Sequence, residues 1–100
     1  MVERNATRVV TVANAQGLHA RPADLVARTA NRFRSRIEIT KGNERVDAKS
    51  VLGLLTLGAC HGVELTICAY GDDAEDALDA LVELFEHELL ELERKAAEEE

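Results

Sequence analysis

The spacing of apolar residues changes period several times along the chain, and each change marks an element. Residues 6–14 are rich in β-branched side chains and roughly alternate, predicting a strand with Val10 and Val12 facing a core. Over residues 20–32 the period lengthens: Ala23, Val26, Ala27 and Ala30 recur at helical spacing and form a narrow buried stripe, with Leu25 off it. Residues 35–40 alternate cleanly, with Ile37 and Ile39 inward. Lys41-Gly42-Asn43 then turns the chain into a short returning strand over 44–47, making a hairpin. A short apolar helix follows over 50–57, with Ser50 as its N-cap. Leu54 and Leu57 are placed for burial, and Val51, Leu52 and Leu55 remain at least partly exposed unless the whole helix is enclosed. The clearest strand is 63–70, with Val63, Leu65, Ile67 and Ala69 on one face. Gly71-Asp72-Asp73 stops it and caps a last helix running from 73 into the 90s, with Ala77, Leu78, Leu81, Val82 and Phe85 as its buried stripe. Leu89, Leu90 and Leu92 extend that helix toward a contact with the domain or with a second chain. The closing residues 96–100 read as a frayed acidic end.

The order β-α-β-β-α-β-α belongs to the α+β class. A four-stranded antiparallel sheet covered on one face by three helices buries all three helical stripes together. One hundred residues make a single core, and the reading divides them into a domain over 1–92 and an acidic tail over 93–100. With no tryptophan, one tyrosine and two phenylalanines, that core must be built from Val, Leu, Ile and Ala. No apolar run approaches the roughly 20 residues of a membrane span, and Met1-Val2-Glu3-Arg4-Asn5 lacks a signal-peptide pattern, so a cytoplasmic protein without membrane insertion is expected. Cys60 and Cys68 lack metal or redox spacing and are expected to be reduced and structural; His61 reads as a loop histidine and His87 as solvated.

Charge is divided unevenly. Residues 1–50 carry ten Lys or Arg against five Asp or Glu, and residues 51–100 carry two against fourteen, so +5 and −12 make up the net −7. Arg21, Arg28, Arg32 and Lys49 all lie in the basic half. Without interleaved aromatics or an overall basic balance, that patch fits an acidic protein partner better than nucleic acid.

The chemistry concentrates in Gly17-Leu18-His19-Ala20-Arg21-Pro22-Ala23, which holds the only proline. Pro22 reads as the first turn of a helix, with Arg21 at the boundary and His19 just outside. A histidine there faces unpaired N–H groups and the positive helix end, where an anion is welcome and a neutral, nucleophilic ring is favoured. Arg21 adds a permanent cation whose planar fork suits phosphate. Such a set can take up and release a phosphoryl group, although position alone also allows a plain solvated or capping histidine. Asp24 is read as a first-turn acid favoured by the helix dipole. No nucleotide loop, metal cluster or catalytic triad accompanies these residues, so no cofactor and no metal are expected.

The stretch from Gly17 to Ala23 resembles the active-site signature of HPr, the histidine-containing phosphocarrier family of the bacterial sugar phosphotransferase system. Ala48-Lys49-Ser50-Val51-Leu52-Gly53-Leu54-Leu55-Thr56-Leu57-Gly58 resembles the family's second signature at about the family's distance, and the similarity spans about 7–90. The pattern alone does not give strand order; the resemblance implies the HPr-like open-faced β-sandwich. It implies a phosphoryl-transfer protein, not a free-standing enzyme, that accepts phosphate from phospho-Enzyme I on Nδ1 of His19 and passes it to IIA proteins. Ala20 and Arg21 would bind the phosphate. Ser50 would be a regulatory phosphorylation site for a serine kinase/phosphorylase. Leu25, Arg28, Lys49, Val51, Leu52 and Leu55 would form the partner surface of a monomeric carrier. Asp24 departs from the small or uncharged residue usual in the family. The alternative is a regulatory or nitrogen-type paralogue that controls transcription or metabolism by phosphorylation-dependent protein binding.

Overall fold

The strand with the most inward residues lies at the heart of the sheet. In a computed structural model, which describes residues 4–98, β4 (Glu64–Tyr70) pairs antiparallel on one side with β1 (Asn5–Thr11) and on the other with β2 (Arg36–Lys41). The hairpin partner β3 (Glu44–Asp47) completes the order β1-β4-β2-β3. Register explains the core. Val10 faces Leu65, Ile39 faces Ile67 and Ile37 faces Ala69, so one face gathers the apolar side chains while Val9, on the other, is 56% exposed. Gly42 (φ +58°) takes the left-handed angle needed in the two-residue β2–β3 turn, which a residue with a Cβ would adopt only under strain.

Helices α1 (Ala20–Ala30), α2 (Val51–Thr56) and α3 (Ala74–Glu83) cover the apolar face. This is the open-faced α+β sandwich expected. The predicted α1 stripe is buried in full, as are Leu54 of α2 and Leu57 at its C-cap. The first strand ends at Thr11, three residues before the expected limit, yet Val12 is fully buried in the loop beyond it. Free Cys68 is half-buried in β4, whereas Cys60 is an exposed free thiol, which removes the structural role expected of it.

Two corrections concern acids near helix starts. Asp24 is the fifth residue of α1, beyond the first turn, and pairs with Arg28 one turn on at 2.9 Å. Asp73 occupies the N-cap position of α3, where its carbonyl accepts the Ala77 N–H at 2.9 Å but its side chain makes no capping bond. Its carboxylate instead accepts the Arg34 N–H (2.8 Å), the Ser35 N–H (2.9 Å) and the Ser35 hydroxyl, tying the loop after α1 to the start of α3. The Ser35 hydroxyl and then the Arg34 N–H hold Asp73 below the usual carboxylate range.

The last helix does not run straight through. After α3 a π-helical turn spans Leu84–Glu88, and α4 continues over Leu89–Glu98. Leu84, Phe85 and Leu89 are all buried, while Val82, expected in the buried stripe, is only partly so. Leu89 therefore packs on the domain itself. Residues 1–3, and residues 99 and 100 of the acidic end, lie outside the described residues. No helix among the described residues is long and apolar enough to cross a membrane.

Candidate functional site

The loop before α1 is held in place before it presents any chemistry. Gly17 has φ +69°, and a Cβ there would overlap the Ala59 carbonyl oxygen, so only glycine fits. The next residue, Leu18, donates its N–H to that same oxygen at 2.9 Å. Asn14, almost fully buried, donates from Nδ2 to the Gly17 carbonyl at 2.7 Å. These bonds deliver an exposed His19 at the N-cap of α1, with extended angles of φ −87° and ψ −169°.

His19 caps with its backbone only: its carbonyl accepts the Ala23 N–H at 2.9 Å. Its imidazole makes no capping bond and is free to react. Helix geometry leaves the N–H groups of the first turn without helical acceptors, and among the described residues those of Ala20 and Arg21 find no other backbone acceptor. Pro22, third in the helix, has no N–H to lose. Arg21, expected at the boundary, is already the second helical residue. It is exposed, and among the described residues its guanidinium has no carboxylate partner. Two N–H donors at a helix start and the guanidinium of Arg21, which lines the same cleft as His19, are thus available near one unbonded imidazole. That arrangement can hold the oxygens of a phosphoryl group while the ring carries the phosphorus.

The other basic residues of the predicted patch are engaged elsewhere. Arg28 is paired with Asp24, Lys49 donates to the Phe33 carbonyl at 2.8 Å, and Arg32 stacks over the Phe33 ring at 5.6 Å. Arg28 remains largely exposed despite its ion pair.

The second motif sits at the far end of α1. Asn31, the C-cap of α1, donates to the Lys49 carbonyl at 3.1 Å, which sets Ser50 beside the end of α1 opposite His19. Eleven residues of α1 separate the two sites by roughly 16 Å. From Ser50 the chain runs back along α1, since Ala59 just after α2 bonds Leu18. Ser50 Oγ accepts the Gly53 N–H at 3.0 Å, the N-cap that the sequence predicts. On α2, Leu52 is 77% and Leu55 39% exposed, while Val51 and, on α1, Leu25 are partly buried against the core. The exposed leucines therefore lie between His19 and Ser50.

Sequence reading missed the flank made by α4. A cleft of about 170 Å³ is lined on one side by His19, Arg21 and Pro22 and on the other by Leu92, Glu93 and Ala96. Glu93 accepts the N–H groups of Ala15 (3.0 Å) and Gln16 (3.1 Å), directly upstream of the histidine. Leu89 and Leu92, placed in a helix by their spacing, were the available signal. Which loop they would reach depends on the π turn, which no periodicity announces. Asn14, placed by the alternation at the end of the first strand, lies instead in the loop beyond Thr11 and donates to Gly17 three residues on.

Comparison with known proteins agrees with this geometry. The family model of the PTS HPr component phosphorylation site matches residues 6–87. The HPr-like protein Crh of Bacillus subtilis (strain 168) is 41% identical over 73 residues, covering 73% of this chain and 86% of Crh. The phosphocarrier protein HPr of Treponema pallidum (strain Nichols) is 40% identical over 80 residues, covering 80% of this chain and 91% of its own. Among solved structures, HPr-C-His from Thermoanaerobacter tengcongensis aligns with a TM-score of 0.79 and 43% identity, over 81% of this chain and 91% of that one.

Proposed function

Because the chain belongs to the HPr phosphocarrier family of the phosphotransferase system, we propose that His19 is its phosphoryl acceptor, with phospho-Enzyme I as donor and IIA proteins as recipients. The observation that carries this reading is the N-cap itself: His19 leaves its imidazole unbonded beside the N–H groups of Ala20 and Arg21. In the transfer, the lone pair of a neutral ring nitrogen (Nδ1 by family resemblance) attacks phosphorus. The bond from phosphorus to the donor breaks, its electron pair stays with the donor, and the proton on the other ring nitrogen of His19 is retained. Arg21 and the two N–H groups neutralise the phosphoryl oxygens. Handing the group to a IIA histidine reverses these steps. An exposed, shallow site suits a carrier, since tight ground-state binding would stall onward transfer.

Exposed Leu52 and Leu55 would supply an apolar docking face, to which half-buried Val51 and Leu25, exposed Arg28 and Lys49 beside the Phe33 carbonyl would contribute. Phosphate on Ser50 would place about −1.5 to −2 charges at the start of α2 and repel an acidic partner. The protein would work in the cytoplasm, where Enzyme I draws on phosphoenolpyruvate. A second reading is favoured by the similarity to Crh: a regulatory paralogue acting mainly through Ser50 phosphorylation and protein binding.

Incubation with Enzyme I and labelled phosphoenolpyruvate tests the assignment. The expected result is an acid-labile label on the wild type, absent from His19→Ala, whose thermal unfolding stays unchanged. Label retained by the variant would overturn the assignment. An unlabelled wild type beside an active Enzyme I, with acid-stable label from a serine kinase, would favour the regulatory paralogue.

A further inference from the structure

The helix that ends the described chain lies outside the family's matched residues, 6–87, yet it touches the site that defines the family. The π turn over Leu84–Glu88 and the buried Leu89 direct α4 so that Leu92, Glu93 and Ala96 form the wall of the cleft facing His19 and Arg21. Glu93 does more than line that wall. Its two carboxylate oxygens take separate backbone donors, Oε1 the Ala15 N–H and Oε2 the Gln16 N–H, a two-point clamp on the loop that leads to His19. The Ala15 and Gln16 bonds hold this carboxylate below the usual glutamate range, with His19 and His61 adding to the same effect, so it is ionised at neutral pH.

We infer that Glu93 is a positioning residue of the phosphoacceptor site, clamping the 15–16 loop when His19 is free and yielding when His19 carries phosphate. The inference rests on the reading of His19 as the phosphoacceptor. Two consequences follow from placing a carboxylate and an incoming phosphoryl dianion in one cleft. A phosphoryl group on His19 repels Glu93 and weakens the clamp. By linkage, the clamp disfavours the phosphorylated form by the same factor. Glu93 thus biases the carrier toward giving its phosphate away. The bias is supplied by the chain itself, from a helix that the matched family region does not include.

The test is the equilibrium distribution of label between phospho-Enzyme I and the full chain at low salt, for the wild type, Glu93→Gln and Glu91→Gln. Glu93→Gln keeps the side-chain volume and removes the charge. Glu91 is a control of equal charge on the same helix, already paired with Arg94 at 2.7 Å. The expected result is about a fivefold shift toward the phosphorylated carrier in Glu93→Gln alone, at the low end of usual coupling between sites, and diminished in high salt. Amide exchange at Ala15 and Gln16 should quicken by about the same factor when wild-type His19 is phosphorylated. Faster amide exchange in Glu93→Gln with an unmoved equilibrium would reduce Glu93 to a structural residue and overturn the inference. An equal shift in Glu91→Gln would do so too, by showing bulk charge. Absence of label from all three proteins would instead overturn the phosphoacceptor reading, and this inference with it.

Discussion

Two helix starts in this molecule use the same position for opposite ends. At α2 the N-cap Ser50 spends its side chain on the helix, accepting the Gly53 N–H. At α1 the N-cap His19 gives the helix only its carbonyl and keeps its imidazole for chemistry. The unpaired N–H groups that Ser50 silences at one end are left available at the other. Stability and reactivity thus draw on the same orphan donors, and the chain places them at opposite ends of one antiparallel helix pair. A third start sharpens the contrast. At α3, Asp73 stands in the capping position but turns its carboxylate to the Arg34–Ser35 loop, trading a local cap for a tertiary tie.

The strongest way to break the comparison is to make α1 start like α2. His19→Ser should end phosphorylation by Enzyme I completely while raising stability by about 0.5–1 kcal/mol, the usual worth of a restored cap. Denaturant unfolding alongside the labelling assay checks both halves; a loss of stability would mean that His19 contributes packing the structure does not suggest. The converse change touches stability alone. Ser50→Ala should cost about 1 kcal/mol, because the Gly53 N–H loses its acceptor. Equal unfolding midpoints for Ser50→Ala and the wild type would show that this cap is not stabilising.

The smallest effect concerns Asp73 and depends on pH. Its folded-state affinity for protons is lowered by the Ser35 hydroxyl and the Arg34 N–H. A depressed carboxylate stabilises the fold above its unfolded pKa of about 4, and that contribution is lost as pH falls through the lower folded value. Asp73→Asn should therefore be less stable than the wild type at pH 7, and the gap should narrow in acid below about pH 4. Unfolding curves at pH 7 and pH 3 test this; a constant gap would assign the effect of Asp73 to shape alone.

Most of the fold was legible because each element announces one period. The alternation of Ile37 and Ile39, the alanine stripe of α1 and the run from Leu65 to Ala69 all point inward where the sheet and helices meet. The places of His19 and Ser50 at helix starts were legible because proline and serine mark such starts by simple chemistry. What escaped has a tertiary cause. The π turn inserts a residue that no hydrophobic period encodes, and Glu93 meets Ala15 across 78 positions of chain. Asp24 was placed one turn too early, and Asp73, rightly placed at the N-cap, was misread in its bonding, because an acid near a helix start has several available partners. Here Arg28 and the Arg34–Ser35 loop win over the helix.

The most direct test of the account is the ring chemistry of the three histidines, His19, His61 and His87, before and after phosphorylation. Protein with labelled imidazole nitrogens is charged by Enzyme I and phosphoenolpyruvate, and the ring resonances are followed by NMR. The His19 ring is expected to gain a nitrogen bonded to phosphorus, while the rings of His61, in its loop, and His87, paired with Glu83, show no such bond. A phosphorus–nitrogen bond on either of those two, or none on His19, would contradict it.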